Sequence, residues 1–138
     1  MAGEATPEVE PLLNEYVNLL NGNYSNLDIL SESYRYHGPG LSDEGIRGRE
    51  SYRDFLQTFH DAFSNLEYVI TDMLASEHVV MAEWRVTGTH DGKFNEIPPT
   101  GREIEMQTMG KIHISNGKIQ EEWGYYDPNS LVAQLGVE

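Results

Sequence analysis

Apolar residues recur at helical spacing in the first part of the chain. Val9, Leu12, Leu13, Tyr16, Val17 and Leu20 form a stripe of period 3.6, which predicts a core-facing helix over about 7–21. Thr6 suits its N-cap, Pro7 its first position, and Gly22 its end. A short helical turn is expected around 27–30, followed by a brief strand, "YRYH". The glycine-rich loop "GPGLSDEGIRGRES" leads to a second helix over about 49–63, with Tyr52, Phe55, Leu56, Phe59 and Phe63 on one side. After Asn65 the period changes from helical to alternating. "LEYVITDML", "EHVVMAEWRVTGTH", "REIEMQTMGKIHI" and "KIQEEWGYY" read as strands, and 128–135 as a short closing helix before Gly136. Helices followed by a meander of long strands predict an α+β fold, a curved antiparallel sheet wrapped around the N-terminal helices with an internal pocket. No repeat or composition break divides the chain, so 1–138 is expected to be one domain.

Alternation also assigns faces. Val80, Ala82, Trp84 and Val86 share one side of their strand and should meet the helices, with Trp84 read as core or as a ligand platform. The last hairpin allows two registers. A two-residue "NG" loop sets Ser115 opposite Lys118, whereas a three-residue "SNG" loop sets Ile114 there. The second is favoured, because it leaves one mostly apolar face on the preceding strand and sets Lys111 opposite Glu121. Met106, Thr108, Gly110, Ile112 and Ile114 then share a face with Gln120, Glu122, Gly124 and Tyr126, while Met109, Lys111, His113, Trp123, Tyr125 and Asp127 lie on the other.

A chain of 138 residues is long enough for a core and a pocket without cross-links. It has no cysteine, so disulfides and thiol chemistry are excluded. The net charge is −14, from 23 acidic against 9 scattered basic residues. Nucleic acid and anionic membranes repel such a surface. No apolar run reaches ~18 residues, and the acidic start is unlike a signal peptide, so a cytoplasmic protein is expected. The acidity fits either a salt-rich, halophilic cytoplasm or an acidic mesophilic protein.

Candidate chemistry is sparse. His37, His60, His78, His90 and His113 show no metal-binding spacing, and no metal site is expected. His60 reads as a surface residue and His78 as a turn residue, while His37, at a strand end, could stand at a pocket mouth. No P-loop, GxGxxG or GxSxG occurs. Asp127, followed by Pro128 and an apolar segment, reads as a helix N-cap or as an acid/base at a pocket rim.

"VTGTHDGKFNEIPPTGREIEM", "NGKIQEEW" and "DPNSLVAQLG", in that order, resemble the SnoaL-like polyketide cyclase family of the NTF2-like superfamily. "GIRGRESYRDFLQTFHDAF" fits the helix after the family's loop, and the resemblance runs from about Pro7 to Gly136. It implies an α+β cone, a homo-oligomer (dimer or tetramer) packed through its sheet, and no cofactor. Cyclases of the family close a ring by intramolecular aldol condensation, in which an Asp takes a proton from activated carbon. With "GKI" and "QLG" as landmarks, that Asp falls on Gly124, the family's pocket His on Gly110, its Gln on Thr108 and its Asn on Tyr36. All four positions depart from the family pattern.

Other groups must then supply any chemistry. Glu122 precedes Gly124 on the same face, and an apolar cavity would raise its pKa. Tyr36 and Tyr126 could donate to a carbonyl oxygen, and glycines at 110 and 124 would enlarge the pocket. The expectation is a cofactor-free cyclase or isomerase of a small apolar carbonyl compound. The alternatives are a non-catalytic binder of a hydrophobic metabolite, or an interaction module using Trp123 and Tyr125.

Overall fold

The amphipathic N-terminal stripe forms helix α1, Val9–Leu20, and a 3-10 turn, Tyr24–Ile29, follows it. These coordinates are a computed structural model that describes residues 9–136, so the expected cap at Thr6 and start at Pro7 lie outside the described residues. The chain continues as β1 (Leu30–His37), β2 (Ile46–Arg47), α2 (Arg49–Ala62), β3 (Phe63–Ala75), β4 (Val79–His90), β5 (Glu103–Ser115), β6 (Lys118–Tyr125) and α3 (Pro128–Gln134). The first strand is longer than the four residues expected. The glycine-rich loop also contains a short strand, β2, which alternation over so few residues could not announce.

The six strands form one open sheet in the order β2-β1-β6-β5-β4-β3. Every pairing is antiparallel except β1 with β6, which run parallel. The chain leaves β1, crosses over through α2 and the meander, and returns beside β1 in the same direction. Register shifts between Ser64 and Glu67 and between Ile70 and Asp72 in β3 mark bulges, which bend and twist a sheet.

The hairpin between β5 and β6 corrects the favoured loop. Asn116 and Gly117 both take positive φ (54° and 74°), and Ser115 pairs with Lys118 across a two-residue turn. Lys111 therefore opposes Trp123 rather than Glu121, with its Nζ 4.4 Å from the ring centroid. A shift between His113 and Ile114 then restores the expected faces from Glu122 onward, so that Ile112 pairs with Glu122 and Gly110 with Gly124, whereas Ile119 rather than the expected Gln120 is buried in the core. Turn and bulge together offset by the same parity as the longer loop would have done.

Val80, Ala82, Trp84 and Val86 are buried as alternation requires. The first three pack with Leu13, Tyr16, Leu19 and Leu20 of α1 and with Ile112 and Ile119 in the main core. A second cluster gathers Phe63, Leu66, Val86, Ile104 and Met106 under Leu131 of α3 and Leu135 just beyond its end. His60 is half-buried, and its Nε2–H donates to the Leu20 carbonyl (2.8 Å), which corrects the surface expectation. That bond ties the end of α2 to the end of α1. His78 lies in the β3–β4 turn as expected.

Candidate functional site

Both clusters contribute walls to one cavity of about 110 Å³. Its walls are mainly aromatic and aliphatic, with Phe55, Phe59, Tyr68 and Leu131 among them. Of the site residues expected from the sequence, Tyr36, Trp84, Thr108, Gly110, Glu122, Gly124 and Tyr126 all line it. Four strands bring them together. β1 supplies Tyr36, β4 Trp84, β5 Thr108 and Gly110, and β6 Glu122 and Gly124.

His37 and Asp127 do not line it. His37 pairs with Trp123 in the β1–β6 ladder, one residue out of phase with the inward Tyr36–Glu122 pair. Its ring stacks on Trp123 at 5.2 Å, and its Nε2 lies 2.6 Å from Glu121 Oε2. Asp127 is exposed and caps α3, its Oδ1 accepting from the Asn129 amide at 2.9 Å. His90 is fully buried away from the cavity, with Nδ1 accepting from the Thr100 amide at 3.2 Å.

Glu122 is the polar centre. It is 6% exposed, and its Oε1 accepts hydrogen bonds from the Tyr16 hydroxyl and, at 3.1 Å, from the Tyr34 hydroxyl. The Tyr52 hydroxyl lies 2.7 Å from that of Tyr16. Because Tyr16 donates to Glu122, its own oxygen is left to accept from Tyr52. Burial pushes the Glu122 carboxyl up to about 7, while the bonds from Tyr16 and Tyr34 oppose the rise by stabilising the anion. The hydroxyls of Tyr16, Tyr34 and Tyr52 are pushed upward, first by burial and then by neighbouring groups that include Glu122, so they remain donors across the physiological range. Burial likewise raises Tyr36 and Tyr126.

Sequence reasoning missed Tyr16, Tyr34 and Tyr52. A signal was present for two of them. Tyr16 and Tyr52 occupy the centre of helical stripes otherwise made of hydrocarbon, where a hydroxyl must find a partner. With Oε1 holding two donors, a proton gained by Glu122 belongs on Oε2. Among the described residues that oxygen has no hydrogen-bond partner, and it points toward Gly110. Such a carboxyl, titrating near neutrality in an apolar chamber, can take and return a proton.

The two inward glycines differ. A Cβ on Gly124 would stand 2.5 Å from the Tyr36 hydroxyl, and one on Gly38 would stand 2.8 Å from the same ring. Tyr36 thus occupies the space that both glycines vacate. A Cβ on Gly110 would meet Glu122 Oε2 at 3.4 Å and Trp84 Nε1 at 3.6 Å, which is ordinary contact. Among the described residues, no group of three or more His, Asp or Glu side chains is placed to hold a metal, and no helix is long and apolar enough to cross a membrane.

The fold has close relatives among solved structures. The structure of TsrD from Streptomyces laurentii superposes with a TM-score of 0.83 at 22% identity, covering 98% of this chain and 100% of that one. A provisionally assigned SnoaL-like polyketide cyclase from Jannaschia sp. CCS1 gives 0.83 at 18% identity, with 98% of each chain covered. IdmH from Streptomyces antibioticus, a candidate polyketide cyclase, gives 0.80 at 24% identity over 96% of this chain and 100% of that one. No curated protein matches significantly. Residues 13–135 match the family described as SnoaL-like polyketide cyclase, and this places the chain in that family.

Proposed function

We propose that this protein is a cofactor-independent acid–base enzyme, a cyclase or isomerase of a small, mostly apolar carbonyl compound. The observation that carries the proposal is the buried Glu122, tied by tyrosines at Oε1 and free at Oε2 toward an apolar cavity. In its ionised form Glu122 removes a proton from the carbon beside the carbonyl. The electron pair moves to the carbonyl oxygen, and hydrogen-bond donors such as the Tyr36 and Tyr126 hydroxyls hold the resulting enolate. Attack of the enolate on a second carbonyl closes a ring, and reprotonation at a different carbon isomerises. Glu122 thereby stands in for the Asp that the family resemblance sets at Gly124. The cavity, smaller than the ~150 Å³ chamber that admits benzene, limits the reacting portion to about one ring.

The test is deuterium uptake in D2O by acetophenone and cyclohexenone, followed by proton NMR. Uptake above the buffer rate should rise with pH through about 7 as Glu122 ionises. It should fall on the order of a hundredfold or more in Glu122→Gln. Uptake that ignores the substitution would remove Glu122 from the chemistry. Glycines at 110 and 124, where the resemblance sets polar side chains, favour the alternative, a non-catalytic binder of a hydrophobic metabolite. Absence of uptake, together with an apolar molecule retained in native mass spectrometry, would establish it.

The outer sheet face carries Leu74, Met81, Met109 and Tyr125, each about half exposed, which supports a homo-oligomer packed through that face. A monomer by light scattering would overturn this. A net charge of −14 supports a salt-rich cytoplasm, for which the melting temperature should climb with molar KCl.

A further inference from the structure

We propose that the Trp84 indole N–H is the anchor for the substrate's carbonyl oxygen, held over the bare backbone of Gly110 beside Glu122 Oε2. The inference rests on Glu122 acting as the acid–base group and names the chemistry set next to it.

A buried indole ordinarily finds an acceptor. Trp84 is 4% exposed, yet among the described residues its N–H has no acceptor. Among the described residues, only the Tyr24 hydroxyl and His90 Nε2 are fully buried without a partner, so the indole N–H opens onto the cavity it lines. Glu122 Oε2 is in the same condition. The two atoms converge, because a methyl group on Gly110 would touch both, at 3.6 and 3.4 Å. One is a donor and the other an acceptor. The complementary ligand group accepts at one atom and offers a hydrogen from the neighbourhood of the next, as a ketone or aldehyde with an adjacent C–H does. An anionic ligand would face the charge of ionised Glu122, and a hydrocarbon would leave the N–H unsatisfied.

Tyr16 couples the pair. Its hydroxyl donates to Glu122 Oε1, and its ring packs edge-on to Trp84 at 6.3 Å and 81°. One side chain of α1 therefore orients both the carboxyl and the indole, which makes Tyr16 a positioning residue. In the reaction the C–H bond breaks, its proton goes to Oε2, and its electron pair leaves the carbonyl oxygen negatively charged against the indole N–H. Reversal returns the proton.

The chain has two tryptophans, so two indole N–H signals report in a nitrogen-correlated NMR spectrum. Titration with acetophenone should move the Trp84 signal downfield and leave Trp123 in place. Ethylbenzene, of similar shape but lacking the oxygen, should not produce that shift. Trp84→Phe and Gly110→Ala should each reduce the preference for ketone over hydrocarbon by about tenfold. Gly110→Ala keeps the interpretation clean, since its added methyl makes only ordinary contacts and the spectrum should stay folded. Equal binding of the two probes, or saturation with acetophenone that moves neither indole signal, would overturn the assignment. A ketone-induced Trp84 shift without Glu122-dependent deuterium uptake would support the anchor while refuting the enzyme.

Discussion

Gly110 and Gly124 face each other across β5 and β6, and both sit where the resemblance sets polar side chains in the cyclases. In one case a neighbour has taken the vacated space, and in the other nothing has. The Tyr36 ring lies over Gly124 and against Gly38, packed between Tyr52 and Phe55 at centroid distances of 5.3 and 5.5 Å. Over Gly110 the nearest side-chain atoms are an unpartnered carboxyl oxygen and an unpartnered indole nitrogen. A missing side chain is thus not one kind of signal. Filled by a ring it is packing, and left open between a donor and an acceptor it is the place we propose for a ligand.

The largest effect tests the polar side of this contrast. Glu122 has its pKa raised to about 7 against an ordinary 4.5, so the fold prefers its neutral form. Between those values the unfolded chain ionises while the folded one resists. Stability should therefore fall by roughly 3 kcal/mol as pH rises from about 4.5 to 7, and level off above that. Urea titrations of the wild type and Glu122→Gln across this window should show a drop that the variant lacks. A parallel pair of curves would mean that the carboxyl is solvated in solution.

Gly124→Ala comes next, at about 2 kcal/mol, because the new methyl must displace a ring already wedged against Gly38. Tyr36→Phe in the same chain should recover part of the loss. The hydroxyl is the nearest atom at 2.5 Å, but Cζ at 3.2 Å remains tight. A double-mutant cycle by chemical denaturation measures the coupling, and simple additivity would break the claim that Tyr36 fills this space.

Asp127→Ala should cost about 1 kcal/mol through loss of the α3 cap and leave deuterium uptake unchanged. Loss of uptake there would return Asp127 to the chemistry. Smallest is Gly110→Ala, which should shift stability by no more than about 0.5 kcal/mol, the scale of glycine's entropic cost in a strand. A thermal melt alongside the ketone titration separates its lost binding from any lost fold.

The inward faces of β4, β5 and β6 were legible from alternation once a register was chosen for the last hairpin. Trp84, Thr108, Gly110, Glu122 and Gly124 were assigned inward, and they line one cavity. That assignment held even though the β5–β6 turn is one residue shorter than expected, because the bulge near His113 restored the parity. The bulge itself was invisible, since no residue type requires it. Asp127 carried both readings in its sequence, and geometry places it as the cap. His60 misled because a polar residue beside an aspartate on a helix looks solvated, whereas the end of α1 passes over it and offers a carbonyl.

By itself the sequence determined the order of the helices and the long strands, the inward faces of β4, β5 and β6, and the family, because periodicity and motif order are properties of neighbouring residues. Only the tertiary structure decided the partners of Glu122. Tyr16 and Tyr34 stand 106 and 88 positions away in the chain, and no local pattern records that their hydroxyls meet on one carboxyl oxygen and leave the other bare. The chemistry proposed for this site depends on which oxygen is free, and that is a matter of three-dimensional distance.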